Sequence, residues 1–173
     1  MGKGTFYEGG IRVPLIVRWP KFTPAGSICL TAVIGTDLLP TFADLVGGSV
    51  PDQQACDGVS LLPLLRDPRA ALGRDELHWH FPHYNLSFNQ TPCSVIRKGS
   101  HKLIHFYEDD RDEVYDLSAD LGETNDLSST QPELAQILRS TLDKWLADVN
   151  APLPTRRNEA ESKRARRKAA GGK

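Results

Sequence analysis

A chain of 173 residues has room for one ordinary hydrophobic core. With 39% hydrophobic and 25% charged residues it has the make-up of a soluble globular protein, and its longest apolar runs fall well short of the roughly 18 residues that a bilayer-crossing helix needs. The net charge of −1 hides an asymmetry, since residues 155–173 carry eight Lys/Arg against two Glu, which leaves the rest of the chain acidic.

The first twenty residues combine a glycine-rich loop with an apolar run. Gly4, Gly9 and Gly10 permit left-handed backbone angles and close approach of other groups, and Lys3 and Arg12 flank them with positive charge, a combination that suits an anion. Between Val13 and Trp19 the apolar residues Val13, Leu15, Val17 and Trp19 alternate with Pro14, Ile16 and Arg18, which predicts a strand. Pro14 cannot donate to a ladder, so that strand belongs at an edge or carries a bulge. The N-terminus shows no basic region followed by an apolar core, so neither a secretion signal nor a membrane segment is expected here.

Lys21–Ser27, with Pro24 and Gly26, reads as a surface loop, and Ile28–Ile34 as a short extended piece. A helix follows, with Thr36 as its N-cap, Asp37 at the favourable end of the dipole, Pro40 in the first turn, and Leu38, Leu39, Phe42, Leu45 and Val46 at helical spacing before Gly47-Gly48 stops it. In the Pro- and Asp-rich stretch 50–69, Asp57-Gly58 predicts a turn and Leu61–Leu65 a short packed helix. Leu77-His78-Trp79-His80-Phe81-Pro82-His83-Tyr84 places three histidines within six residues. If that run is extended, His78 and His80 point to one side and Pro82 turns the chain before His83. The histidines are open to a structural reading, a ligand-lining reading and a metal reading, although no carboxylate or cysteine nearby completes a ligand set.

Cys93–Lys98, a Gly99-Ser100 turn, His101–Tyr107 and Glu113–Leu117 predict three strands of an antiparallel meander. A helix from about Thr130 to Val149 is the strongest single element. Thr130 and Glu133 have the spacing of a capping box, Pro132 suits the first turn, and Leu134, Ile137, Leu138, Leu142, Trp145, Leu146 and Val149 form one apolar stripe. Thr155–Lys173 reads as a solvated basic extension. It lacks aromatic residues and a folded platform, which makes a nucleic-acid partner an unfavoured alternative. Cys29, Cys56 and Cys93 are odd in number and form no C-x-x-C, so they leave the redox compartment open and argue against a cysteine-only zinc site.

The run Gly2-Lys3-Gly4-Thr5, then Tyr7-Glu8-Gly9-Gly10-Ile11-Arg12 and Pro14, resembles a signature of the sulfatase family, the arylsulfatase-like sulfuric ester hydrolases. The resemblance continues through Thr36-Asp37-Leu38-Leu39-Pro40-Thr41, Arg97-Lys98-Gly99 with Lys102-Leu103-Ile104, Glu113–Leu117, and Gly122-Glu123 with Asn125-Asp126-Leu127. It covers nearly all of this chain but only the C-terminal part of the family's fold. It implies an α/β class: residues 1–70 as the last part of an alkaline-phosphatase-like sulfatase domain, residues 71–152 as a small antiparallel sheet with a packed C-terminal helix, and residues 153–173 as the basic tail. Lys3 matches the family's sulfate-contacting lysine and is the expected catalytic residue, while His80 and His83 are expected to line the substrate end of the cleft. The expected substrate is an aryl or carbohydrate sulfate ester.

The resemblance also implies a divalent cation, usually calcium, held by aspartates and an asparagine, and a formylglycine made from Cys or Ser in C/S-x-P-x-R. Cys93-Ser94-Val95-Ile96-Arg97 has Cys and Arg at the right ends, but Val95 stands where proline is required, which argues against it as the nucleophile. The expectation is therefore a C-terminal fragment with no metal ligands of its own, inactive alone. It would either be completed by an N-terminal sulfatase part or survive as an anion- or sulfated-glycan-binding remnant. Without neighbours for the Val13–Trp19 strand, such a chain would expose apolar surface and be prone to aggregate.

Overall fold

The computed structural model describes residues 2–51 and 56–154, and the basic tail read from the sequence at 155–173 lies outside the described residues. The chain divides into two units: the described residues of Met1–Ile11 and His78–Lys173, and those of Arg12–Leu77.

The first unit is built on a four-stranded sheet in the order β1 (Glu76–Phe81), β2 (Cys93–Lys98), β3 (His101–Phe106), β4 (Arg111–Asp116). The second to fourth strands form the expected antiparallel meander. Lys98 pairs with His101 across the Gly99-Ser100 turn, where Gly99 takes a left-handed φ of 57°. The register then sorts side chains by face. Ile96 opposes Leu103, which opposes Val114, and all three are buried under Leu138, Leu142 and Leu146 of α4 (Pro132–Asp148). On the other face Cys93, Val95, Ile104, Phe106, Tyr115 and Leu117 form a second buried cluster, packed against Phe6, Tyr7 and Trp79. Each fully buried aliphatic side chain stabilises this arrangement by about 1.5–3 kcal/mol relative to exposure. The sheet is thus covered by α4 on one side and by the N-terminal loop on the other.

Two details of α4 depart from the pattern. The capping box does not form: Gln131 is the cap residue and has no side-chain bond, while the Thr130 hydroxyl donates to the Leu127 carbonyl at 3.3 Å. The amides of Thr130 and Gln131 also donate to the Leu127 carbonyl, so the chain turns on that group before the helix begins. Ile137 is 60% exposed because, at about 100° per residue, it falls far from the centre of the Leu138, Leu142 and Leu146 stripe.

The second unit contains a 3-10 turn at Gly35–Asp37, α2 (Leu38–Leu45) and α3 (Leu62–Arg66). Leu62 and Leu64 are buried, as the short packed helix required. Asp37, rather than Thr36, organises the start of α2. Its fully buried carboxylate accepts from the Ile34 and Val59 amides at 2.9 and 3.0 Å and from both terminal nitrogens of Arg74 at 2.6 and 2.8 Å. Gly58 is less a turn residue than a point of close approach, since a Cβ there would stand 2.1 Å from the Thr36 carbonyl oxygen.

The expected strand over Val13–Trp19 and the extended piece over Ile28–Ile34 are not paired into any sheet. A strand is completed by its ladder, and the described residues offer these segments no neighbour. Val13, Leu15, Ile16 and Val17 are exposed accordingly, and so are Leu38, Leu39, Phe42, Leu45 and Val46 of the helix expected after Thr36. Phe6, Tyr7 and Glu8 find their partners on the sheet, and the described residues up to Ile11 group with it in the first unit. Among the described residues no helix is long and apolar enough to cross a membrane.

Candidate functional site

The glycine-rich loop folds back tightly. The Thr5 hydroxyl donates to the Gly2 carbonyl at 2.7 Å, closing a turn around Lys3, whose side chain is exposed. Gly4 holds φ at 85° with the Phe88 ring pressed against it, and a Cβ at Gly4 would lie 2.1 Å from Phe88 Cγ. Only glycine satisfies both conditions. One helical turn, α1 (Glu8–Ile11), follows, with the Gly10 and Ile11 amides donating to the Tyr7 carbonyl at 2.8 and 3.1 Å. Gly10 is required because its α-carbon faces the Thr5 carbonyl, 2.1 Å from where a Cβ would stand. Arg12, the other flanking cation, is exposed and begins the second unit.

Beneath the loop lies a set of polar groups that the sequence reading did not single out. Lys102 of β3 is fully buried, and its Nζ donates to Glu8 Oε1 at 3.1 Å and to Glu123 Oε1 at 2.8 Å. The Tyr7 hydroxyl donates to Glu113 Oε2 at 2.6 Å, the Tyr115 hydroxyl donates to the same oxygen at 2.9 Å, and Arg111 holds the other carboxylate oxygen. Burial, and then the Glu113 carboxylate, push both phenols well above the ordinary tyrosine value, so they stay protonated as donors. One signal in the sequence pointed here: Lys102 sits at the alternation of Ile104 and Phe106, a charge within an otherwise apolar face.

The structure divides the three histidines. His78 and His80 share the α4 side of β1, where His78 stacks on Trp145 at 4.6 Å. His80 Nε2 lies 2.9 Å from the Pro152 carbonyl, which can only accept, so that nitrogen carries a proton. Its Nδ1 lies 2.7 Å from the Ser94 hydroxyl, itself 2.7 Å from the Tyr107 hydroxyl. His83 is exposed on the opposite side, edge-on to Phe81 at 5.7 Å, and Phe81 in turn contacts Phe6 of the loop at 5.7 Å. Lys3 and His83 therefore belong to the loop side of the sheet, and His80 lies behind it.

Cys93 is fully buried in β2, and burial pushes its thiol up to about 12, so neither proline context nor acidity suits it to nucleophile chemistry. Among the described residues no group of three or more His, Cys, Asp or Glu side chains could hold a metal ion. Neither the divalent cation nor the formylglycine of the family fits the described residues.

Residues 1–151 match the family model described as N-sulphoglucosamine sulphohydrolase, C-terminal. The chain is 38% identical over 164 residues to a sulfatase of Formosa agariphila, covering 87% of this chain and 30% of that protein. It is 36% identical over 152 residues to an N-acetylglucosamine-6-O-sulfatase of Bacteroides thetaiotaomicron, covering 83% and 27%. A solved structure of a protein in complex with its substrate D-glucosamine-2-N,6-O-disulfate superposes with a TM-score of 0.74 at 33% identity, covering 84% of this chain and 31% of that one. The chain thus spans under a third of the length of each relative. Its glycine-rich loop, four-stranded sheet and packed helix are those of a C-terminal portion, and the chain belongs to the sulfatase family.

Proposed function

We propose that this chain supplies the C-terminal part of a sulfate-ester hydrolase, with Lys3 as the group that contacts the sulfate. The reaction cleaves the ester S–O bond, leaves an alcohol or phenol, and transfers the oxygen of water to sulfur as sulfate. An ammonium at Lys3 would favour charge on the sulfuryl oxygens and on the departing ester oxygen. The observation that carries this reading is an exposed lysine on a backbone turn that Gly4, Phe88 and Thr5 hold in place. Such pre-organisation lets a cation act without reordering the loop at each turnover.

The substrate class we propose is a sulfated carbohydrate, the class named for the glucosamine-disulfate complex and the N-acetylglucosamine-6-O-sulfatase. His83, with Phe81 and Phe6 beside it, would offer a donor and aromatic faces to a sugar ring. His80 would act from behind the sheet, its ring nitrogens engaged by Ser94 and Pro152, as a brace rather than a direct ligand. The calcium ion and the formylglycine nucleophile would come from an N-terminal sulfatase part, so the chain by itself would be inactive. A binding role without catalysis is the second reading, favoured by an anion loop in a sequence that has no C/S-x-P-x-R.

The test is to exchange this chain for the matching C-terminal 27% of the Bacteroides thetaiotaomicron N-acetylglucosamine-6-O-sulfatase and measure sulfate release from N-acetylglucosamine 6-sulfate. The chimera should turn over and the chain alone should not. Lys3→Ala should lower turnover by about 100-fold or more, and a loss under about threefold would remove Lys3 from the chemistry. Sulfated sugar that raises the melting temperature of the chain, with a folded but inactive chimera, would favour the binding reading.

A further inference from the structure

Three stretches distant in the chain meet at one buried charge cluster. Glu8 lies in α1, soon after the Lys3 turn, Lys102 lies near the start of β3, an inner strand of the sheet, and Glu123 lies in the connection after β4. The Lys102 and Glu123 side chains are 0% and 2% exposed, and Glu8 is 6% exposed. Besides the two bonds from Lys102, the Glu8 amide donates to Glu123 Oε2 at 2.5 Å, so Glu123 holds both the ammonium and the loop backbone. Glu123 also keeps a left-handed φ of 54°, unfavourable for a residue with a Cβ and maintained only where surrounding contacts over-determine it.

Stability alone does not call for this arrangement. Ile104 and Phe106 share the face of Lys102, and an apolar side chain there would continue their cluster, since apolar replacements of buried ion sets are often neutral or stabilising. What an ion set adds is direction: an ammonium between two carboxylates defines one register of loop against sheet, whereas apolar contacts tolerate sliding. We propose that Lys102 is a positioning residue, which through Glu8 and Glu123 fixes α1 to the sheet and so sets where Lys3 meets the sulfate. The proposal rests on the reading of Lys3 given above.

The experiment uses the full chain as wild type, Lys102→Met, Glu8→Ala and Lys3→Ala, with two measurements. One is hydrogen exchange at the amides of Glu8, Gly10 and Ile11, all hydrogen-bonded in the loop, against those of the sheet and α4. The other is affinity for inorganic sulfate, read by titration. Lys102→Met and Glu8→Ala should each speed loop exchange by about 100-fold or more, with sheet and α4 amides within about fivefold of wild type. Each should also weaken sulfate binding at least about tenfold, as Lys3→Ala does.

Unchanged loop exchange in a folded variant overturns the proposal. So does a released loop that keeps full sulfate affinity in a protein whose Lys3→Ala variant has lost it. Should Lys102→Met disrupt the sheet, Glu8→Ala decides by the same criteria, because it leaves Lys102 paired with Glu123. Sulfate affinity indifferent to Lys3→Ala refutes the reading of Lys3 instead. The exchange measurement then still decides whether Lys102 holds the loop: faster exchange upholds that anchoring and unchanged exchange ends it.

Discussion

Tyr7 and Glu113 stand 106 positions apart and are joined by a 2.6 Å hydrogen bond from phenol to carboxylate, one of the contacts that seat the N-terminal loop on β4. Glu113 has other donors in Tyr115 and Arg111. Tyr7→Phe therefore strands no charge and should destabilise the chain by only about 1–2 kcal/mol, whereas Glu113→Ala leaves two phenols without their acceptor, takes from Arg111 one of its two carboxylates, and should cost more. Denaturant unfolding followed by circular dichroism ranks the two. The reverse order would mean that the Tyr7 hydroxyl, rather than the Glu113 carboxylate and its other donors, carries most of the stability of this contact.

The same contacts set an alkaline limit. Burial first and Glu113 second raise the Tyr7 and Tyr115 phenols above their ordinary 10.0, and burial raises Tyr107. The folded chain thus binds these protons more tightly than the unfolded chain does, so their contribution is complete below pH 10 and is lost as the pH climbs above it. Phenolate absorbance should rise for these residues only as the circular dichroism signal falls. Normal titration of all four tyrosines of an intact fold would refute this.

Asp37 sets the opposite limit in the second unit. Burial alone would raise its carboxyl, but the Arg74 guanidinium and the Ile34 and Val59 amides outweigh that and hold it below the ordinary 3.8. A depressed folded value means that its stabilisation is present above pH 3.8 and disappears as the pH falls through the lower folded value. Asp37→Asn should cost about 3 kcal/mol at neutral pH by removing the charge from three sets of donors. Arg74→Met should cost less, because both amide bonds to Asp37 survive. Trp19, stacked on Phe22 at 3.7 Å in the same unit, gives the fluorescence signal for both measurements, and equal losses would show that the Asp37 carboxylate left without Arg74 costs as much as losing its charge.

Local patterns made the sheet hairpins and α4 legible, because Gly99, the alternation on either side of it and the leucine spacing each act within a few residues. Their registry with distant segments was not legible. Lys102, Glu8 and Glu123 occur in three separate motif stretches, and nothing in their spacing says that they share one buried site. The histidine run shows the same limit. Alternation does put His78 and His80 on one side, yet only the packing of Trp145 and Pro152 shows that this side lies away from the loop. For Val13–Trp19 the alternation was real, but a strand needs a neighbour, and periodicity carries no information about whether one is present.

The apolar residues of α2 lead to a prediction about association. Leu39 is 48% and Phe42 60% exposed, so neither contributes much buried area to the chain's own stability. Replacing Leu39 with Glu and Phe42 with Lys should therefore change unfolding free energy by under about 1 kcal/mol, the range of ordinary surface substitutions. Clusters of exposed apolar side chains nevertheless drive self-association, and the charged pair would break the cluster formed with Leu38, Leu45 and Val46. Sedimentation velocity across a concentration series should show the wild-type chain associating and the double variant doing so less. A loss of more than about 2 kcal/mol would show instead that Leu39 and Phe42 are packed in solution, since only buried apolar groups cost that much to replace.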